Sequence, residues 1–309
     1  MYSNKIKGML TGVALGDALG APHEFSRSKL IFKGELIYPI TITSRFHGII
    51  TYPVGTVTDD TQMTLALARQ ISIDGKYNEN NVILAYERFA KDCKFCGKNT
   101  RNLFKGVVTT SGYRNRYSKF FTTPMDEWTQ SNGSLMRCSP LVVFPGYEDL
   151  ISDTKLSNPH PNNIECAILY MYVLKSLLIK DQPPELEELF KYCKQPDVIS
   201  LLNDVKNKKE RDIAPKSIKG WICTSLYCAL YSVYNVTDIT TAFDKYIKCG
   251  GDTDTNAAII GSLYGAKLGY TQLKEVYDRT DNINILFTTN QILNDIDEIS
   301  NILGGILGK

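Results

Sequence analysis

Histidine is nearly absent from this chain, with three residues among 309. A structural zinc site needs four Cys or His ligands, so imidazole-rich zinc chemistry has little to draw on. Charge of one sign is equally scarce: 35 basic and 33 acidic side chains leave a net charge of +2. That balance argues against nucleic acid or an anionic membrane as partner, and any anion must be held by a local site. No uninterrupted apolar run approaches the ~20 residues of a membrane span. Convincing alternating strands are few; residues 35–43 are the best case, and Pro39 weakens it. The eight cysteines are scattered, without the density of a disulfide scaffold. Cys93 and Cys96 form a C-x-x-C with no second pair at zinc spacing. The expectation is reduced thiols in a cytoplasmic protein.

What is present is helical periodicity. Hydrophobic residues make up 43% of the chain, enough for a sizeable core. Residues 5–20 place Ile6, Met9, Leu10, Val13, Ala14 and Ala18 at three- and four-residue steps. Lys5, Lys7 and the apolar run after them imitate a secretion signal, but Asp17 interrupts that run, which reads as a buried helix. Gly8, Gly12, Gly16 and Gly20 recur every fourth residue, and Gly261, Gly265 and Gly269 repeat the spacing late in the chain. Glycine costs about 1 kcal/mol per helical position, so two such rows imply two helices packed backbone to backbone. Further helices are expected at 61–73, 79–91, 164–179, 185–194, 217–234, 239–247 and 288–304. Residues 106–131 lack a clear period and read as a long surface loop, and 195–216 as a charged connection. Nothing resembles a linker, so 1–309 is expected to be a single helical domain.

The carboxylates carry the chemistry. Thr58, Asp59 and Asp60 precede one apolar helical run, and Asp252, Asp254 and Thr255 precede another. Either motif alone is well explained as a helix cap, since Asp and Thr suit that position and the helix dipole. Capping needs one side chain, however, and each motif offers two carboxylates and a hydroxyl. Clustered carboxylates repel unless protonated or neutralised by a cation, and oxygen donors of this kind suit magnesium or manganese. Glu24 follows the glycine-lined helix and can supply another carboxylate, although a surface glutamate is the plainer reading. Asp17 is expected to be buried and to hold a neighbouring loop by hydrogen bonds. Asn132-Gly133-Ser134, before an apolar run, reads as a tight turn opening a helix whose N–H groups can hold a diphosphate; an ordinary turn would look the same.

Together the segments "GMLTGVALGDALGAPHEF", "GTVTDDTQMTLALA", "NGSLMRCSPL" and "CGGDTDTNAAIIGSLYGAKLG" resemble the ADP-ribosylglycohydrolase family, in the family's order from about residue 7 to about 270. The resemblance implies an all-α fold, a compact orthogonal helical bundle, and a two-metal centre of magnesium or manganese, held by Thr58, Asp59, Asp60, Asp252, Asp254 and Thr255. It makes Glu24, Asp59 and Asp60 the candidates for catalytic base, with the choice among them open. It assigns Asn132, Gly133 and Ser134 to the ADP-ribose diphosphate. Many members carry Thr-His-x-His-Pro further on, where this chain has Ser157-Asn158-Pro159-His160-Pro161. Asn158 therefore stands where relatives put a substrate-facing histidine, and it cannot titrate near neutrality. The activity implied is removal of mono-ADP-ribose from a modified protein, with arginine as the first linkage and serine-linked, O-acetyl- or poly-ADP-ribose as the alternative. A pyrophosphohydrolase using the same carboxylates and a non-catalytic ADP-ribose-binding relative are the competing readings.

Overall fold

Four glycines decide the centre of the fold. In the computed structural model, which describes residues 2–25, 32–44, 48–121, 127–214, 220–277 and 280–308, helix α1 (Tyr2–Gly20) lies along the late glycine helix. A Cβ on Gly12 would stand 2.7 Å from the carbonyl carbon of Gly261, and one on Gly16 would stand 2.8 Å from the nitrogen of Ala258. Carbon atoms rest at about 3.5–4 Å, so no other residue permits this approach. The same seam ends at the chemistry. A Cβ on Gly20 would meet the Cα of Asp254 at 2.6 Å. The expected backbone-to-backbone contact is therefore present, and it delivers Asp17 and Asp254 to one place.

Around this pair the chain runs through β1 (Ile40–Ser44), β2 (Gly48–Tyr52), α2 (Asp59–Asp74), α3 (Glu79–Asp92), α4 (Lys98–Phe104) and α5 (Thr110–Phe120). It continues through α6 (Glu148–Lys155), α7 (Pro161–Lys180), the single turn α8 (Leu186–Leu189), α9 (Pro196–Lys206), α10 (Ile222–Asn235) and α11 (Ile239–Cys249). The glycine helix is α12 (Thr253–Tyr277), broken at Gly269, where φ is 74°; α13 (Asn282–Thr289) and α14 (Ile296–Leu307) follow. The architecture is all-α, as expected. Among the described residues the sheet is one antiparallel hairpin, with Ile40 opposite Tyr52 and Ile42 opposite Ile50. The strand thus begins after Pro39, and residues 35–39 lie outside it.

Three expectations fail outright, and the helix expected over 288–304 is divided between α13, which ends at Thr289, and α14, which begins at Ile296. The loop expected over 106–131 contains α5, whose exposed polar face hides its period because Tyr113 is its one buried side chain. That helix is anchored from outside: Tyr113 stacks on Phe104 at 5.3 Å and donates to the carbonyl of Leu156, and Arg116 donates to the carbonyl of Leu103 and pairs with Glu87. The charged connection over 195–216 contains α9, with Pro196 in its first turn and Val198, Leu201, Leu202 and Val205 buried. Charged residues after it mask a helical apolar stripe that is there to be read. Finally, Cys93 and Cys96 form a disulfide, because the turn after α3 brings their Cα atoms within 5.9 Å. The expected helix over 217–234 begins at Ile222, and residues 217–219 lie outside the described ones. Among the described residues no helix is long and apolar enough to cross a membrane.

Candidate metal centre

The starts of α2 and α12 meet beside the C-terminal end of α1. Thr58, Asp59, Asp60, Asp252, Asp254, Thr255 and Glu24 all line one cleft of about 960 Å³. That volume is ordinary for a site taking a drug-sized ligand. Carboxylate oxygens of Asp17, Asp60 and Asp254 lie within 4.8 Å of one another, and so do those of Glu24, Asp252 and Asp254. Two motifs separated by almost 200 residues of chain thus share one centre, Asp254 belonging to both groups.

Capping is assigned differently from what either motif suggests. Thr58 occupies the N-cap of α2 without a side-chain cap bond. The fully buried Asp17 takes that duty from α1: Oδ2 accepts the backbone N–H of Thr58 at 2.9 Å and of Thr61 at 3.1 Å. Its oxygens also accept the hydroxyls of Thr58 and Thr61. Asp17 therefore holds the entry to α2, as expected of it, and frees Asp59 and Asp60 from capping. Asp59 Oδ2 accepts the N–H of Gly97, the residue after the disulfide, at 3.2 Å. Asp60 Oδ2 shares the Thr58 hydroxyl with Asp17, at 3.1 Å, while its buried Oδ1 has no hydrogen-bond partner.

The electrostatics follow from this crowding. Burial first, then Asp17, Asp59 and Asp252, push the carboxyl of Asp60 well above the ordinary carboxylate range. Burial and then Glu24, Asp252 and Asp60 do the same to Asp254. Asp59 is pushed up to about 7, mainly by desolvation and against the opposing bond from Gly97. Acids placed so close cannot all stay charged unless a cation neutralises them. A buried carboxylate oxygen with no donor facing it is the group that a hard cation satisfies. The donor set of carboxylates and hydroxyls therefore fits magnesium or manganese.

The proposed diphosphate residues separate into two layers. Asn132 and Gly133 line the cleft. Asn132 donates its backbone N–H to the carbonyl of Gly220, and its amide to Ser225 Oγ and Asp252 Oδ2, both within 2.9 Å. At Gly133 an added Cβ would meet only Asn158 Oδ1 at 3.9 Å and Ser131 Oγ at 4.0 Å, so the backbone there is open to close approach. Ser134 is fully buried beneath the turn and accepts from Asn163. Asn158 is also fully buried, with Oδ1 accepting from Ser157 and Nδ2 donating to Thr129 and Ser131. It is not among the residues lining the cleft. His160 caps α7 through Nδ1.

Sequence reasoning missed the two lips. Lys94, Phe95, Lys98 and Arg101 line one, while Gln130, Asp197 and Trp221 line the other, where Trp221 Nε1 donates to Gln130 at 2.9 Å. The C-x-x-C pair before Gly97 was the available signal for the first lip. Nothing local marks the second, since it is assembled from three distant segments.

Comparison with known proteins identifies the family and the fold. The family model described as ADP-ribosylglycohydrolase matches residues 1–303. An ADP-ribosyl-[dinitrogen reductase] glycohydrolase of Rhodospirillum rubrum is 27% identical over 275 residues, covering 85% of each chain. An ADP-ribosylarginine hydrolase, Tri1, of Pseudomonas putida is 24% identical over 282 residues, covering 86% of this chain and 71% of its own. A solved ADP-ribosylglycohydrolase-related protein complex superposes with a TM-score of 0.68 at 21% identity, covering 99% of this chain and 98% of that one. This last likeness speaks for the fold.

Proposed function

The chain belongs to the ADP-ribosylglycohydrolase family, hydrolases of glycosidic bonds, and from that premise we propose that it releases ADP-ribose from an arginine side chain of a modified protein. The observation that carries this reading is the meeting of Asp60 from α2 with Asp254 from α12, together with the buried, unpartnered Asp60 Oδ1. The arginine linkage is supported by relatives whose names specify it.

Two divalent cations, magnesium or manganese, would be held by Thr58, Asp59, Asp60, Asp252, Asp254 and Thr255. When bound they supply Lewis-acid stabilisation and acidify a nearby water. Glu24 is exposed, yet one of its oxygens lies within 4.8 Å of those of Asp252 and Asp254. It can therefore orient a water at the cleft and take its proton, with Asp59 as the next candidate. The water oxygen bonds to the anomeric carbon of the ribose as the carbon–nitrogen bond to arginine breaks. The proton then passes to the leaving nitrogen. Gly133 offers bare backbone to the diphosphate, and Asn132 ties that turn to Asp252.

The test is product analysis by mass spectrometry after incubation with arginine- and serine-ADP-ribosylated peptides and magnesium. Intact ADP-ribose from the arginine peptide is expected. Release from the serine peptide alone would overturn the linkage, and AMP as the product would overturn the reaction class.

A further inference from the structure

Arg137 is the largest fully buried side chain of the described residues, and it lies behind the cleft without lining it. A guanidinium removed from water costs several kcal/mol unless all its donors are met. Asp153, equally buried, balances the charge: Nε donates to Oδ2 at 3.1 Å and Nη2 to its backbone carbonyl at 2.8 Å. Tyr86, whose hydroxyl accepts from the same Nε, donates in turn to Asp153 Oδ1 at 2.8 Å. This pair balances the charge and meets Nε and Nη2, but it leaves Nη1 unmet. Nη1 is spent elsewhere, on the carbonyl of Gly133 at 2.9 Å and on Ser157 Oγ at 2.8 Å.

We propose that Arg137 is a positioning residue that fixes the turn over residues 129–134 and thereby the backbone on which a diphosphate rests. The inference builds on the functional reading above for the identity of that ligand. Its physical basis is the one-way polarity of the hydrogen bonds. Arginine can only donate and does not deprotonate in proteins. Ser157 Oγ, receiving from it, donates onward to Asn158 Oδ1 at 2.7 Å. That bond sets which way the Asn158 amide faces, so the two N–H groups of its Nδ2 are shared among the carbonyls of Thr129 at 3.2 Å and Ser131 at 3.0 Å and Ser131 Oγ at 2.9 Å. One guanidinium therefore holds Gly133 directly and the 129–131 side of the turn through two relays. Asn158, standing where relatives have a histidine, is a strut in this chain and does not line the cleft.

The experiment compares wild type, Ser157→Ala and Arg137→Lys. Ser157→Ala cuts one branch and leaves the buried ion pair intact, so it covers the case in which Arg137→Lys does not fold. Free ADP-ribose is the binding probe by calorimetry, magnesium affinity is measured separately, and amide hydrogen exchange is followed over residues 129–135. Ser157→Ala should weaken ADP-ribose binding by about tenfold, the worth of one net hydrogen bond. Exchange over 129–135 should quicken, while magnesium affinity stays within about twofold. Arg137→Lys, if folded, should show the larger effect. Unchanged exchange and ADP-ribose affinity in Ser157→Ala would overturn the proposal; so would a loss of magnesium affinity as large as the loss of ADP-ribose affinity. Should wild type fail to bind ADP-ribose, the functional reading falls, and exchange over 129–135 alone decides the positioning role.

Discussion

Asp254→Asn separates a metal ligand from a helix cap because the two roles predict opposite signs. Asparagine caps a helix about as well as aspartate, so a capping residue would change neither stability nor turnover. The buried Asp254 carboxyl has its pKa raised, first by desolvation and then by Glu24, Asp252 and Asp60. A carboxyl raised in the folded state favours folding at low pH, and this contribution is lost as pH rises through the folded value. Near neutral pH without metal, the amide should therefore leave the melting temperature equal to wild type or higher. With magnesium the order reverses. At 100 times its Kd a ligand stabilises the wild type by about 2.7 kcal/mol. At roughly 2 °C per kcal/mol for a chain of this size, that is about 5 °C. If the variant binds magnesium about 100-fold more weakly, it keeps ~0.4 kcal/mol, under about 1 °C. Turnover should fall by at least about 100-fold, ~2.7 kcal/mol of barrier. Differential scanning fluorimetry in chelator and in magnesium, with turnover on an ADP-ribosylated arginine peptide, reads both halves. A variant with the wild-type magnesium shift and turnover within about tenfold would refute the metal reading.

Two further outcomes follow from packing and capping. Gly12→Leu should lower the melting temperature by about 2–6 °C or more, since overpacking costs 1–3 kcal/mol or more where even a Cβ would overlap Gly261; a melt within about 1 °C of wild type would rule out the close seam. Asp238 caps α11, accepting the N–H of Thr241 at 2.9 Å and the hydroxyls of Thr237, Thr240 and Thr241, which hold its pKa below the usual value against partial burial. Asp238→Ala should cost about 1 kcal/mol near neutral pH. A depressed carboxyl stabilises above its unfolded pKa and loses that contribution as pH falls through the folded value, so the gap between variant and wild type should narrow in acid denaturation series. A gap independent of pH would contradict the assignment.

The sequence by itself determined the helical class and the two carboxylate motifs, because both are written in local order. A four-residue glycine spacing records how close two backbones must come, and acids before an apolar run record where helices begin. It also carried the stripe of α9, which the charges after Lys206 obscured. Only the tertiary structure decided which group does which work. Asp17, in α1, caps α2 across 41 to 44 residues, so Thr58 needs no cap bond of its own, and Asp60 Oδ1 stays buried without a partner. Helix α5 exists because Phe104, Leu103, Glu87 and Leu156 hold it, contacts that no local period announces. The motif containing Asn158 resembles a substrate contact, yet Ser157, Thr129 and Ser131 consume both ends of its amide. Periodicity reports the solvent and core faces of one element at a time. Hydrogen-bond partners from distant elements have no period, and they divide the polar residues of this chain into those that line the cleft and those that hold it.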